Sequence, residues 1–173
     1  VFGMSIVAIQ TILPIFIRSF AQSRPEPTRE LSVSGDIQTP VTFKLQDFKQ
    51  LPSHELGDVV ITNHAGEVRS TARQLKGILL RDLLERTAIR SMAPKDLSAV
   101  LFKCVASDGY VVVFSWNEIF NTATGDHIAI VLEKDGKSFD QMEESILLIS
   151  PTDRRTGRRY VKGLQSVEVI RLP

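Results

Sequence analysis

Cysteine is almost missing from this chain: 173 residues contain one, Cys104. That excludes an intrachain disulfide and any metal cluster built on several thiolates. The lone thiol lies inside an apolar run, where a buried structural cysteine is the expectation and a reactive thiol the alternative. Surplus charge is missing too, with 21 Lys plus Arg against 20 Asp plus Glu, so no global field draws the chain to nucleic acid or an anionic surface. Any electrostatic function must be local. The 3 histidines, His54, His64 and His127, show no pairing at metal-ligand spacing. There is no His-Glu-x-x-His, no glycine-rich phosphate loop and no Gly-x-Ser-x-Gly elbow, so zinc hydrolases and nucleotide hydrolases find no support. The carboxylates are dispersed and nominate no paired-acid glycosidase site.

Long hydrophobic runs are absent except at the beginning. Residues 1–17 carry no charge, and Arg18 and then Ser19-Phe20-Ala21 follow. Small residues two apart after an apolar stretch form a signal-peptidase site with Gln22 as the first mature residue, although no basic segment precedes the stretch. The competing reading is a membrane anchor, but an uncharged run interrupted by Pro14 falls short of the roughly 20 residues needed to span. The expected organisation is therefore a signal peptide or anchor over 1–21, an extended linker over 22–30 and one domain over 31–173. The expected location is exported, in a periplasm, with membrane attachment only if the first segment is retained.

What the chain does have is strand-forming sequence. Residues 100–116 hold two apolar, β-branched and aromatic runs around Ser107-Asp108-Gly109-Tyr110, a hairpin signal. Both arms are apolar at nearly every position, which predicts a central pair covered on both faces. Further strands are expected at 31–37, 41–43, 58–62, 128–132, 146–149 and 166–172, with a second Asp-Gly turn at Asp135-Gly136. Helical spacing picks out Leu45, Phe48 and Leu51 before Pro52, and more clearly residues 78–88, with leucines on one face and Arg81, Asp82, Glu85 and Arg86 on the other. Ser115 and Glu118 have the spacing of a capping box. About seven or eight strands and two or three helices, out of strict alternation, predict an α+β domain.

Two segments could carry chemistry. Between the last strands, Arg154, Arg155, Arg158, Arg159 and Lys162 place five cations within nine residues around Gly157. Guanidinium forks and an ammonium suit a phosphate or carboxylate, and a solvated basic loop is the equally weighted alternative. Asn63-His64-Ala65-Gly66-Glu67 is a polar, glycine-containing loop in which His64 could ligate a metal, carry a proton or bond a ligand, or do none of these.

Taken together, Leu31-Ser-Val-Ser-Gly35, the His64-Ala-Gly66 loop, Leu75-Lys-Gly-Ile-Leu-Leu-Arg-Asp-Leu-Leu84, Ala106-Ser-Asp-Gly-Tyr110 and Arg159-Tyr-Val-Lys162 resemble the molybdopterin-binding domain of the sulfite-oxidase superfamily. The closer likeness is to its small exported members. The resemblance covers residues 31–172 and implies a mixed-sheet α+β domain with a central hairpin and a few short helices. It implies a pterin cofactor held by Asn63, His64, Arg158, Arg159 and Lys162, the cations meeting its phosphate, and a redox partner protein. In catalytic members a cysteine in the loop after the second strand ligates molybdenum, and here His64 stands at that position. An imidazole donates far less electron density than a thiolate. The implied activity is thus an oxidoreductase with His64 as metal ligand, and the alternative is a non-catalytic binding module that keeps the fold without the cofactor.

Overall fold

Residues 24–90 and 93–173 are described by a computed structural model. The expected leader, its expected cleavage site and Gln22 lie outside the described residues. Strands are β1 (Glu30–Gly35), β2 (Val41–Lys44), β3 (Ser53–Thr62), β4 (Val68–Leu79), β5 (Val100–Ala106), β6 (Val111–Ser115), β7 (Ala129–Lys134), β8 (Lys137–Ser138), β9 (Leu147–Ile149) and β10 (Leu164–Arg171). Helices are α1 (Leu45–Phe48), α2 (Leu80–Glu85) and α3 (Trp116–Phe120). One sheet runs β2-β1-β10-β5-β6 and the other β3-β4-β7-β8, with β9 also pairing β7. Only β1 and β10 are parallel in the first sheet, so it is mixed. The α+β, mixed-sheet architecture expected from the sequence is the one observed.

Strand patterning builds a single core. Leu31 and Val33 of β1, Phe102 and Cys104 of β5, Phe114 of β6 and Val167 and Val169 of β10 alternate inward. They meet Leu80, Leu83 and Leu84 of α2 and the wholly buried Leu147, Leu148 and Ile149 of β9. Each such large side chain contributes about 1.5–3 kcal/mol on removal from water.

The hairpin forms as expected, in register from Val105 opposite Val111 to Leu101 opposite Ser115, but it is not covered on both faces. β10 occupies the far side of β5, which leaves β6 at the sheet edge with Val111 44% and Val113 47% exposed. β-Branched valine suits a pleated strand surface that is only half buried, so apolarity alone overstated the cover. The helix expected at 78–88 is shorter, because Ile78 and Leu79 finish β4, paired with Ile130 and Ala129. β4 was not anticipated. Its burial is irregular because β3 and β4 slip register at three places, which destroys the period-two signal. α1 is a single short turn after which Leu51 still reaches the core.

Asp135 and Gly136 join β7 to β8 with φ of 53° and 75°, the left-handed pair that a tight hairpin turn requires. The expected linker is fastened down over its described part. Ser107 accepts from the Glu26 N–H and donates to the Glu26 carbonyl, both at 2.8 Å. The Thr28 hydroxyl donates to the Leu164 carbonyl at 2.6 Å.

Candidate functional site

Three connections meet at one end of the molecule: the β3–β4 loop, the β5–β6 turn and the segment between β9 and β10. Asn63 shapes the first. Its Oδ1 accepts from the backbone N–H groups of Ala65, Gly66 and Glu67, each at 2.9 Å, and its Nδ2 donates to Glu67 at 2.6 Å. This local competition of an Asn side chain with regular structure closes the turn and presents His64 exposed at its tip. The His64 ring stacks on Tyr110 from the second connection, with centroids 5.8 Å apart and planes 25° from parallel. The Tyr110 hydroxyl donates to the Arg158 carbonyl at 2.7 Å, and Arg158 Nε donates back to the His64 carbonyl at 3.0 Å. His64, Tyr110 and Arg158 thus form a closed circuit across all three connections.

The third connection is held by Thr156. Its hydroxyl accepts from the Thr62 N–H at 3.0 Å and donates to the Val60 carbonyl at 2.7 Å. Gly157 lies so close to β3 that a Cβ there would sit 1.8 Å from the Thr62 carbonyl oxygen, so the approach requires glycine.

The five cations do not share one role. Arg159 was nominated to meet an anionic ligand, yet its side chain is only 19% exposed, and it bonds Asp153 through Nε at 2.6 Å and Nη2 at 2.5 Å. It also donates to Glu118 at 2.5 Å and lies 4.6 Å over the Phe114 ring. Burial by itself pushes its pKa down, but the hydrogen bonds and charges of Asp153 and Glu118 overcome this and raise it above the ordinary arginine range. Glu118 therefore does not complete the anticipated capping box: Ser115 caps α3 by accepting from the Glu118 N–H at 3.0 Å, and the carboxylate goes to Arg159. Lys162 bonds Glu144 at 2.6 Å, and Lys134 bonds the same carboxylate and the Tyr160 hydroxyl. Burial would raise Glu144, but Lys134 and Lys162 hold it below the usual carboxylate range. Tyr160 is pushed up by burial and by the neighbouring Glu144 charge. Arg154, Arg155 and Arg158 remain exposed.

Between the connections lies a cleft of about 170 Å³ lined by Pro25, His64, Asp108, Tyr110, Tyr160 and Lys162. Of the residues nominated from sequence, His64 and Lys162 face it, Arg158 adjoins it, Asn63 shapes the loop beside it, and Arg159 is held in the ion network. Pro25, Asp108 and the two tyrosines were not nominated. The signals for Asp108 and Tyr110 were their place in the hairpin turn and in the Ala106–Tyr110 motif of the resemblance, neither of which gave them a role in the site.

The cleft offers a stacked ring pair, the Lys162 ammonium with an N–H to spare and the Asp108 carboxylate, while the exposed Arg158 guanidinium stands outside its lining beside His64; the two cations are the groups suited to an oxyanion. It suits a molybdenum-bearing pterin poorly. Cys104 is wholly buried in β5, its thiol pushed up to about 12 by burial, and cannot serve as the soft ligand. Among the described residues no group of three or more His, Cys, Asp and Glu side chains could hold a metal. The volume lies below the ~300–1,000 Å³ usual for larger ligands.

No protein-family profile matches the chain, and no curated protein matches it. Among solved structures it is similar to the crystal structure of the sulfane dehydrogenase SoxCD from Paracoccus pantotrophus, with a TM-score of 0.62 at 13% identity over 82% of this chain. The match takes in 38% of that chain, so this sequence spans well under half the length of the protein it resembles. At that identity the likeness is distant and concerns the fold.

Proposed function

We propose that the chain is a binding module of the sulfite-oxidase-like fold that takes a small oxyanion in the cleft between the Asn63–Glu67 loop and the Arg154–Lys162 segment. One observation carries the reading: the closed circuit of His64, Tyr110 and Arg158, which brings three segments far apart in the sequence to one cleft beside Lys162. In this reading Arg158 and Lys162 donate to the anion, the His64–Tyr110 pair forms a wall, and Arg159 holds the segment in place. The exported setting rests on residues 1–21, and an exported module of this kind requires no electron partner.

The test is isothermal titration of the whole chain with inorganic phosphate and with sulfate. Binding that weakens about tenfold or more in Arg158→Ala and Lys162→Ala supports the reading. The second reading, a molybdopterin-dependent oxidoreductase with His64 as ligand and a redox partner, is favoured by the exposed placement of His64 after β3. Stoichiometric molybdenum with pterin fluorescence in protein purified from its native compartment would replace the first reading with the second.

A further inference from the structure

Sheet edges are sites of unwanted pairing, and folded proteins blunt them with short strands, charges, prolines, bulges or covering segments. Most edges here are treated in that way. β2 is a 4-residue strand after Pro40 that ends on Lys44. β3 is broken by register slips, and its last turn is covered by Thr156 on Val60 and Thr62. β8 has 2 residues, and the free side of β9 is bridged by Val161. β6 has none of these devices. Val111-Val-Val-Phe-Ser115 carries no charge and no proline, pairs with β5 without a slip, and exposes Val111 and Val113 on one face.

The ladder fixes which backbone groups are open. The Ala106 N–H donates to the Tyr110 carbonyl at 2.9 Å, so along an antiparallel pair the groups of Val112 and Phe114 also point at β5. Those of Val111 and Val113 point away, and among the described residues nothing receives them.

We propose that β6 pairs antiparallel with β6 of a second copy of this chain, about a two-fold axis at Val113. Val113 then faces Val113 of the second copy, and Val111 faces Ser115. The occupant follows from the other edges. Because those are short, bulged or covered, the open strand that β6 meets on another copy is β6 itself, and an isologous contact closes without leaving a further edge. Five uncharged residues oppose no like charges in that arrangement, and the branched side chains at the axis form an apolar cross-strand pair. The two five-stranded sheets become one continuous sheet, and the clefts stay at separate ends of the dimer's hairpins. This inference does not depend on what the cleft binds.

Sedimentation velocity on the 173-residue chain tests it. The expected species is a dimer of the 19.3 kDa protomer. Val113→Lys, which sets like charges face to face at the axis, raises the dissociation constant about tenfold or more. Val68→Lys, at a 69% exposed position in another strand, leaves the dimer intact. Amide exchange supplies a reading without substitution: Val111 and Val113 are protected at high protein concentration and exchange faster on dilution. A monomer at every concentration, a Val113→Lys protein that sediments like the parent, equal dissociation by Val68→Lys, or Val111 and Val113 amides insensitive to dilution would each overturn the proposal.

Discussion

Arg159 commits its guanidinium inside the protein, to Asp153, Glu118 and the Phe114 ring. Removing it leaves two shielded carboxylates without a counter-charge. Arg159→Ala is therefore expected to lower stability by about 3 kcal/mol in urea titration, the low end of the ~3–5 kcal/mol range for breaking a buried ion pair because some solvent contact remains. Arg158→Ala, at an exposed side chain, should change stability by less than about 0.5 kcal/mol. Glu144 sets a pH dependence. Its folded pKa is lowered from 4.5, so its stabilising contribution is complete above that value and is lost as pH falls below it through the folded pKa. Thermal melts from pH 6 downward should show a decline that Glu144→Gln makes shallower. Cys104 behaves oppositely to a redox thiol: with its pKa near 12, it should resist alkylation at pH 8 in the native protein and react fully once unfolded. The sequence displayed five cations but not their partners. Glu118 is 41 residues from Arg159, and only folding tells which charge is free.

At the level of elements, the placement of the basic segment depends on one hydroxyl and one missing Cβ. Thr156→Val keeps the shape but leaves the Thr62 N–H and Val60 carbonyl unpaired, which should cost about 1–3 kcal/mol in chemical denaturation. Gly157→Ala should go further and displace the segment, so that the Tyr110 and Arg158 resonances shift together in an amide spectrum. The sequence showed Gly157 as a turn residue, whereas its role is the close approach to Thr62. The two Asp-Gly turns and the β5–β6 hairpin were readable because their signals are local. β4 was not readable: bulged pairing with β3 scatters its buried positions, and polar Arg69, Ser70 and Thr71 fill exposed sites. Nor was the edge position of β6, which is decided by β10 arriving from the far end of the chain.

For the whole molecule, the fold class was legible because order of strands and irregular alternation with helices survive the loss of detail. The site was legible only in part. Its two loops could be named, but the turn carrying Asp108 and Tyr110, and the described part of the linker carrying Pro25, join it through tertiary contacts that no spacing announces. The central claim is that these parts form one cleft for a small oxyanion. An amide-resolved magnetic resonance titration of the whole chain with inorganic phosphate tests this most directly. Shifts that saturate together at His64, Tyr110, Arg158 and Lys162, and vanish in Arg158→Ala, are predicted. Saturation without movement of His64 and Tyr110, or shifts confined to Arg154 and Arg155, would contradict it and leave the basic segment as a solvated surface.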